Sequence, residues 1–465
     1  MIRLFRHYIS QGLLTLLIAE ALSNFLSVYL GRAWEMTLLG YDQLPRLSEV
    51  LPNAVIFMLV MLIIMIAIGL YERNFWSGRV DMLLRVGISF MFGLFMMTFI
   101  YYLSPDIYYN RRELSLGIGA AFVGVLLLRA ISLVASDQDR LKRRVLVLGV
   151  GQQAAQIEEL WEKKKMASLI TGYVQVHEHE KPLVPATRML QVTDQLCNLA
   201  DKLAIDEIVV AIDDRRKGFP VDEIMQCHLN GVSISNFLNF YEKQTGKIQL
   251  DALRPSNMIY APGFQKAFFK QIVKRFFDLA ACLFLLALTW PIMLLAALAV
   301  WIESGGRGSI LYRQTRIGLN ERPFNLIKIR SMRVDAERDG VARWAQAQDS
   351  RITRVGELLR KTRIDELPQL FNVLRGDMSF VGPRPERPQF VAELRKEIPF
   401  YSMRHIVKPG ITGWAQICYP YGASVQDARE KLQYDLYYIK NYSFGFDTLI
   451  LLQTVYTVFW GKGAH

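Results

Sequence analysis

The side chains with the most chemistry to offer lie between Lys361 and Glu386, in the run KTRIDELPQLFNVLRGDMSFVGPRPE. An adjacent acidic pair, Asp365-Glu366, is set among Arg360, Arg363, Arg375 and Arg384. Pro368 suits a first helical turn and Gly376 a helix stop, which predicts a short helix starting at Asp365. Arg384 is held between Pro383 and Pro385, whose fixed φ angles stiffen the backbone. Carboxylates ringed by guanidinium groups, at the positive end of a helix, suit a reaction on a phosphate. Such a reaction needs a nucleophile, counter-charges for the non-bridging oxygens and usually a metal. Asp365 is the candidate nucleophile, because a carboxylate attacking phosphorus gives an acyl phosphate. Glu366 points about 100° away from it on a helix, yet at a helix start both can converge on one Mg²⁺. The pair alone also has a plainer explanation: Asp365 caps the helix and Glu366 complements its dipole.

More charge lies upstream. Lys328 and Arg330 alternate with Ile327 and Ile329, as on a half-buried strand whose charged face lines the site or meets solvent. Lys274, Arg275 and Asp278 stand at the entry to a long apolar stretch, where Lys and Arg can hold lipid headgroups and Asp278 can pair with one of them. Lys408–Trp414 reads as a rigid turn beside the site.

The elements that must carry these groups include several for a membrane. Leu279–Ile302 is uncharged and long enough to span a bilayer. Its flanks are both basic, with Lys270, Lys274 and Arg275 before it and Arg307, Arg313 and Arg316 after it. Pro291 removes a hydrogen bond near its middle, which predicts a helix broken at Trp290-Pro291 that dips into one leaflet and returns. A straight span is the alternative. Four further apolar segments open the chain: Gly12–Leu30, weakened by Glu20 and Asn24, then Ala54–Leu70, Val86–Leu103 and Leu114–Ala135. Arg129, near the end of the last, is expected to snorkel to the interface. Arg3 and Arg6, then Arg73, Arg79 and Arg85, then Arg140, Lys142, Arg143 and Arg144 place the N-terminus and everything after residue 140 in the cytoplasm; Arg111 and Arg112 run against that pattern. The start lacks a small-residue cleavage site and reads as a retained helix. The tail Phe444–Trp460 reads as a packing or interfacial helix.

Between these parts Arg144–Gly149 reads as a buried strand, followed by Gly149-x-Gly151-x-x-Ala154, a dinucleotide-type turn opening a helix. No acid stands where a ribose would need one, and no Tyr has a Lys four positions later, as nucleotide-sugar epimerases require. The segment is therefore a Rossmann-like fold with or without a bound nucleotide. Asp206–Asp213 is a second buried strand, and His177-Glu178-His179-Glu180 is either a metal pair or a loop. Over 465 residues the chain is 52% apolar, too apolar for disorder, and its net charge of +12 suits an anionic membrane or phosphorylated substrates. Basic runs such as Lys163-Lys164-Lys165 are too short to suggest nucleic acid. The four cysteines lack zinc spacing and are expected to be free thiols of a reducing compartment.

Several ordered motifs in roughly the last 200 residues resemble the bacterial sugar transferases, the monotopic polyprenyl-phosphate sugar-1-phosphate transferases. They are Lys274-Arg275-x-x-Asp278, Tyr312-Arg313-Gln314 with Arg316-x-Gly318, Phe324 with Lys328-x-Arg330-Ser331-Met332, Asp365-Glu366-Leu367-Pro368-Gln369, Gly382-Pro383-Arg384-Pro385 and Lys408-Pro409-Gly410-Ile411-Thr412-Gly413-Trp414. The resemblance implies a multi-pass bacterial inner-membrane enzyme with its soluble domains in the cytoplasm. It implies four transmembrane helices over 1–139, a Rossmann-like α/β domain over 140–262, and a mainly helical α+β catalytic domain over 263–465 with a re-entrant helix 271–302. It implies a UDP-sugar, undecaprenyl phosphate and membrane lipids as partners, with Mg²⁺ as cofactor; a homodimer is compatible with it. It implies Arg360 and Arg384 as phosphate clamps and a two-step reaction through Asp365, at the first membrane step of exopolysaccharide, capsule or O-antigen synthesis. The rival readings are a nucleotide-sugar oxidoreductase or epimerase resting on the glycine turn, and a non-enzymatic scaffold of polysaccharide assembly resting on the four helices.

Overall fold

In the computed structural model a short antiparallel strand pair, Ile2–Leu4 with His7–Ile9, precedes four long helices: α1 (Gln11–Leu38), α2 (Leu47–Ala67), α3 (Arg79–Leu103) and α4 (Arg111–Ser136). The structure describes residues 2–4, 7–9, 11–41, 44–68, 70–71, 79–103, 111–136, 143–163, 168–177, 180–191, 195–213, 219–253, 255, 268–334, 336, 351–420, 422 and 424–459. Each of the four helices is long and apolar enough to cross a membrane, as is a fifth farther on. Two charges deep inside them pair with each other. Arg129 of α4 does not snorkel: it is 1% exposed and meets Glu20 of α1, 0% exposed, through Nε–Oε1 at 2.8 Å and Nη2–Oε2 at 3.1 Å. Pairing satisfies both ions, whereas a snorkelled arginine would strand a buried carboxylate. Farther along the same contact, Gly31 of α1 meets the backbone of Glu113 and Gly117 of α4, a close approach that only small residues permit. Glu20, which weakens the hydropathy of the first segment, therefore serves helix pairing.

The chain divides into two compact units, Met1–Ile64 with Trp76–Arg254, and Met65–Phe75 with Pro255–His465. After the helices the first unit holds a five-stranded parallel sheet. Its strands are β1 (Arg143–Leu148), β2 (Ser168–Val174), β3 (Met189–Leu190), β4 (Glu207–Val210) and β5 (Ser233–Asn236), in the order β3-β2-β1-β4-β5. Helices α5 (Gln152–Glu162), α6 (Leu196–Lys202), α7 (Val221–Leu229) and α8 (Phe237–Thr245) connect and cover them. β1 and β4 are buried on both faces because helices cover both, which is why they read as continuous apolar runs. The order reverses between β1 and β4, the switch point of a doubly wound sheet.

The second unit is built on α9 (Phe268–Glu303), which runs as one helix through Pro291. The expected break is a proline inside a continuous helix: the ring costs one hydrogen bond, and the residues on either side keep helical conformation. Cys282 and Asp278 of α9 are buried, and so are Ala296 and Val300, whereas Phe284, Leu288, Trp290, Leu294 and Leu295 between them are exposed. After α9 come the antiparallel hairpin β6 (Leu311–Ile317) and β7 (Pro323–Ile329), α10 (Arg354–Lys361), a 3₁₀ turn Ile364–Glu366, α11 (Gln369–Arg375) and β8 (Ser379–Val381). Next are α12 (Pro388–Glu397), a 3₁₀ turn Tyr401–Ile406, β9 (Gly410–Thr412) parallel to β8, α13 (Trp414–Cys418), α14 (Val425–Asn441) and α15 (Phe444–Phe459). α15 is a packing helix along its first turn, where Phe446 joins Trp414 and Tyr437 in an aromatic cluster.

Candidate active site

Asp365 lies in the 3₁₀ turn, not at the start of α11. The cause is Pro368. It has no N–H to return to the Ile364 carbonyl, so Leu367 bonds there instead and the α-helical ladder starts only at Gln369. Gly376 ends α11 in the left-handed conformation, φ +91°, as a glycine stop should. Asp365 caps neither element, and its Oδ1 is buried without a hydrogen-bond partner. The residue is 6% exposed. Arg363, just before the turn, is itself left-handed at φ +58°, a cost tolerated where a site needs it.

Glu366 has the opposite surroundings. Its Oε1 meets Lys328 Nζ at 2.9 Å, Arg384 Nη2 at 3.2 Å and Arg363 Nη1 at 3.7 Å. Burial pushes its carboxyl up, but Lys328, Arg384 and Arg363 together outweigh burial and hold it well below the usual carboxylate range. Asp365 goes the other way: burial pushes its carboxyl up, and Lys328, Arg360 and Arg363 offset only part of that. Burial also pulls the Lys328 ammonium down, against the attraction of Glu366. Two adjacent carboxyl groups thus differ in kind, one locked ionic in a cage of cations and one with bare oxygen lone pairs. Divergent environments of this sort mark working sites. Lys328 comes from β7 and Arg360 from the last turn of α10. Arg384 is steadied on its other branch by Gln416 of α13, Nη1 to Oε1 at 3.0 Å.

Not every expected residue joins this cluster. Arg330 lies one residue past the end of β7, and its Nη2 donates to the Arg307 carbonyl at 3.1 Å. Asp278 pairs with neither Lys274 nor Arg275: it accepts from Ser379 Oγ at 3.0 Å and the Phe380 N–H at 3.1 Å, anchoring α9 to β8. Arg275 donates to the carbonyls of Val373 and Leu374, the negative end of α11. Lys274 meets Asp447 of α15 and the Tyr438 hydroxyl. Both cations thus have protein partners where lipid headgroups were expected. Asn372, Gln416, Arg404 and Asp435 escaped the sequence reading. Asn372 is the one with a signal, a polar residue on the apolar face of α11, where it ties Ile327 and Asn325 of β7 to that helix.

The glycine turn is built as expected and filled from within. Gly149 takes φ +120°, and a Cβ there would strike the Ala211 carbonyl; Ala154 is in the core. Where a pyrophosphate would sit, at the N-terminus of α5, the Asp213 carboxylate accepts from Gln152 N at 2.7 Å and Gln153 N at 3.2 Å. A Cβ on Gly151 would meet Asp213 and Glu180. Both glycines are explained by the chain itself, and two carboxylates at the switch point do not fit a dinucleotide. Of the His177–Glu180 run, Glu178 and His179 lie outside the described residues.

Among the described residues no three Asp, Glu, His or Cys side chains gather into an all-protein metal cage. Magnesium does not need one, since it is usually held by one or two carboxylates together with substrate phosphates. The unpartnered Asp365 Oδ1 and the firmly ionised Glu366 are a donor set that fits such an ion.

Residues 269–461 match the family model of the bacterial sugar transferases. The chain is 42% identical over 243 residues to the UDP-N-acetylgalactosamine-undecaprenyl-phosphate N-acetylgalactosaminephosphotransferase of Aeromonas hydrophila, covering 52% of this chain and 56% of that protein. It is 41% identical over 197 residues to the UDP-glucose:undecaprenyl-phosphate glucose-1-phosphate transferase of Escherichia coli (strain K12), 42% of either chain. It is 45% identical over 184 residues to a protein of the same name from Caulobacter vibrioides, 39% of this chain and 68% of that one. The matched stretch spans about half or less of the A. hydrophila and E. coli proteins.

Proposed function

Because the chain belongs to the bacterial sugar transferase family, we propose that it moves a sugar-1-phosphate from a UDP-sugar to undecaprenyl phosphate. The observation that carries the mechanism is the buried, unpartnered carboxylate of Asp365 beside a Glu366 locked among three cations. An Asp365 oxygen attacks the sugar-bearing phosphorus, a new O–P bond forms, and the bond to the UMP oxygen breaks. A phosphate oxygen of the polyprenyl phosphate then attacks the same phosphorus, and Asp365 leaves as the carboxylate. The product is polyprenyl diphosphate-sugar.

Arg384 and Arg360 hold the phosphate oxygens, and Lys328 with Glu366 keeps Arg384 aimed between them. Bound between Asp365, Glu366 and the substrate phosphates, Mg²⁺ would neutralise charge developing on the phosphoryl oxygens. Arg330 takes no part in the cluster and is assigned at most a role toward the substrate periphery.

A re-entrant α9 is supported by its packing. The helix is anchored to the catalytic unit at two points, Asp278 on β8 and Val300 against Ile329 and Leu359, with an exposed apolar stretch between them. In this reading the site faces the cytoplasm at the bacterial inner membrane, where a lipid phosphate and a soluble nucleotide meet. Single cysteines before Lys270 and after Arg307 are expected to resist an impermeant reagent in intact cells; labelling of the Arg307 side from outside would overturn this topology. The oxidoreductase reading loses its footing to Asp213, which occupies the position of the nucleotide phosphates. The test of function is incubation of membranes with a panel of radiolabelled UDP-sugars and undecaprenyl phosphate, followed by organic extraction. Label in the lipid phase with release of UMP supports the transferase; label confined to water for every sugar would sink it.

A further inference from the structure

A second charged cluster lies behind Pro383-Arg384-Pro385. Arg404, from the 3₁₀ turn Tyr401–Ile406, and Asp435, from α14, are both buried. Arg404 Nη2 lies 2.9 Å from Asp435 Oδ2 and donates to the Arg384 carbonyl at 2.9 Å, while Nη1 donates to the Tyr401 hydroxyl at 2.6 Å. Burial pushes the Asp435 carboxyl up to about 6, with Arg404 as the charge that holds it down. A buried ion pair is a poor route to stability, since apolar residues of the same volume do as well or better. The pair calls for another explanation.

The explanation lies in the segment it touches. Prolines at 383 and 385 strip that backbone of two N–H groups, so it cannot be tied down by ordinary turn hydrogen bonds of its own. Its three carbonyls are each held from outside: Pro383 by the Gly410 N–H at 3.0 Å, Arg384 by Arg404, and Pro385 by Arg316 Nη1 at 3.0 Å. Of these, the Arg404 bond falls on the residue whose side chain reaches Glu366. Tyr401 and Asp435 in turn leave the Arg404 guanidinium little freedom to swing away.

We propose that Arg404, braced by Asp435, is a positioning residue that fixes the peptide from which the Arg384 guanidinium reaches Glu366 and the substrate phosphate. This rests on the reading of Arg384 as a phosphate clamp. The contacts of Arg404 are with Asp435, Tyr401 and the Arg384 carbonyl, so its influence on turnover is assigned to pass through Arg384.

A double-mutant cycle on the full-length protein in nanodiscs tests it, with kcat/KM for the UDP-sugar as readout. Arg404→Met is expected to lower kcat/KM about tenfold in the wild-type background, a coupling typical of residues in contact, and by less than about twofold when Arg384 is already Ala. Arg404→Lys is expected not to rescue, since one ammonium cannot reproduce the planar fork that serves Asp435, Tyr401 and the Arg384 carbonyl together. A merely structural Arg404 would give the same loss in both backgrounds, and that result would overturn the proposal alone. If Arg384→Ala itself leaves kcat/KM unchanged, the clamp reading falls and takes the proposal with it. Should Arg404→Met fail to melt cooperatively, Asp435→Asn, which keeps the volume, decides through the same cycle. Its loss must likewise vanish in the Arg384→Ala background, and a loss that persists there refutes the inference.

Discussion

Replacing Lys328 by Met keeps a long flexible side chain and removes the cation nearest Glu366. At an effective dielectric constant of about 20, a charge pair at 2.9 Å is worth ~6 kcal/mol before desolvation, against ~5 for Arg384 at 3.2 Å and ~4.5 for Arg363 at 3.7 Å. The two arginines are 35% exposed and the lysine 21%, so solvent screens the arginines more and Lys328 supplies the largest share. Burial of the ammonium offsets part of this, and the net loss is about 3 kcal/mol, the low end for breaking a buried pair. If that energy is spent on aligning the site, kcat/KM falls roughly a hundredfold at neutral pH.

The pH profile separates this from lost substrate contact. Lys328 is also the largest charge pulling the Asp365 carboxyl down against burial. Without it Asp365 gives up its proton only at higher pH, and the nucleophile must be ionised. The acid limb of kcat/KM, which reports the free enzyme, therefore moves upward in Lys328→Met, and part of the lost rate returns as pH rises. The assay is label transfer to the lipid phase between about pH 5.5 and 9. A lower plateau with an unmoved acid limb would refute the electrostatic role, and unchanged kcat/KM would remove Lys328 from the site.

Arg384→Lys is expected to lose at least about tenfold in kcat/KM although the charge is kept, because one ammonium cannot serve Glu366, Gln416 and a phosphate at once; near-wild-type turnover would contradict the clamp. Arg129→Ala and Glu20→Ala are each expected to destabilise the protein in detergent melts by about 3 kcal/mol, and the double Leu variant by much less, since only the single changes leave a buried ion unpaired; equal losses would mean the pair is not coupled. Calorimetric titration of the wild-type protein with NAD⁺ or NADP⁺ is expected to show no saturable binding up to about 1 mM. Asp213→Ala is expected to cost about 1 kcal/mol as a lost helix cap. Tight dinucleotide binding by the wild type would show that the Asp213 carboxylate yields its place.

Much of this architecture was legible because the signals are local. Apolar length marks a membrane helix, Gly376 marks a helix end, and the glycine turn marks the start of α5. What escaped lies in partners far apart in the chain. Hydropathy counts Glu20 and Arg129 as two separate charges, and nothing along the chain joins residues 109 apart. The Asp213 carboxylate reaches Gln152 across 61 residues, so a turn with the right glycines reads the same whether full or empty. Lys328 and Arg330 share a strand face by alternation, but the strand ends between them, and only Lys328 points into the cluster. The 3₁₀ turn at Asp365 was only partly within reach of the sequence: Pro368 cannot donate to the Ile364 carbonyl, but nothing local says that the Leu370 N–H bonds the Leu367 carbonyl.

The most direct test of Asp365 as nucleophile is intact-protein and peptide mass spectrometry of enzyme mixed with UDP-sugar in the absence of lipid phosphate and acid-quenched. The expected adduct has the mass of a phosphosugar and maps to the peptide containing Asp365, and it discharges when undecaprenyl phosphate is added. Asp365→Asn is expected to form none while melting at or above the wild-type temperature at pH 7.5. The sign follows from burial: the folded Asp365 carboxyl lies above its unfolded value, so its ionised form penalises the folded state at neutral pH, and the gap between the two proteins closes as pH falls and Asp365 protonates. An adduct on another residue, or lipid-linked product formed by Asp365→Asn at a wild-type rate, would contradict the account.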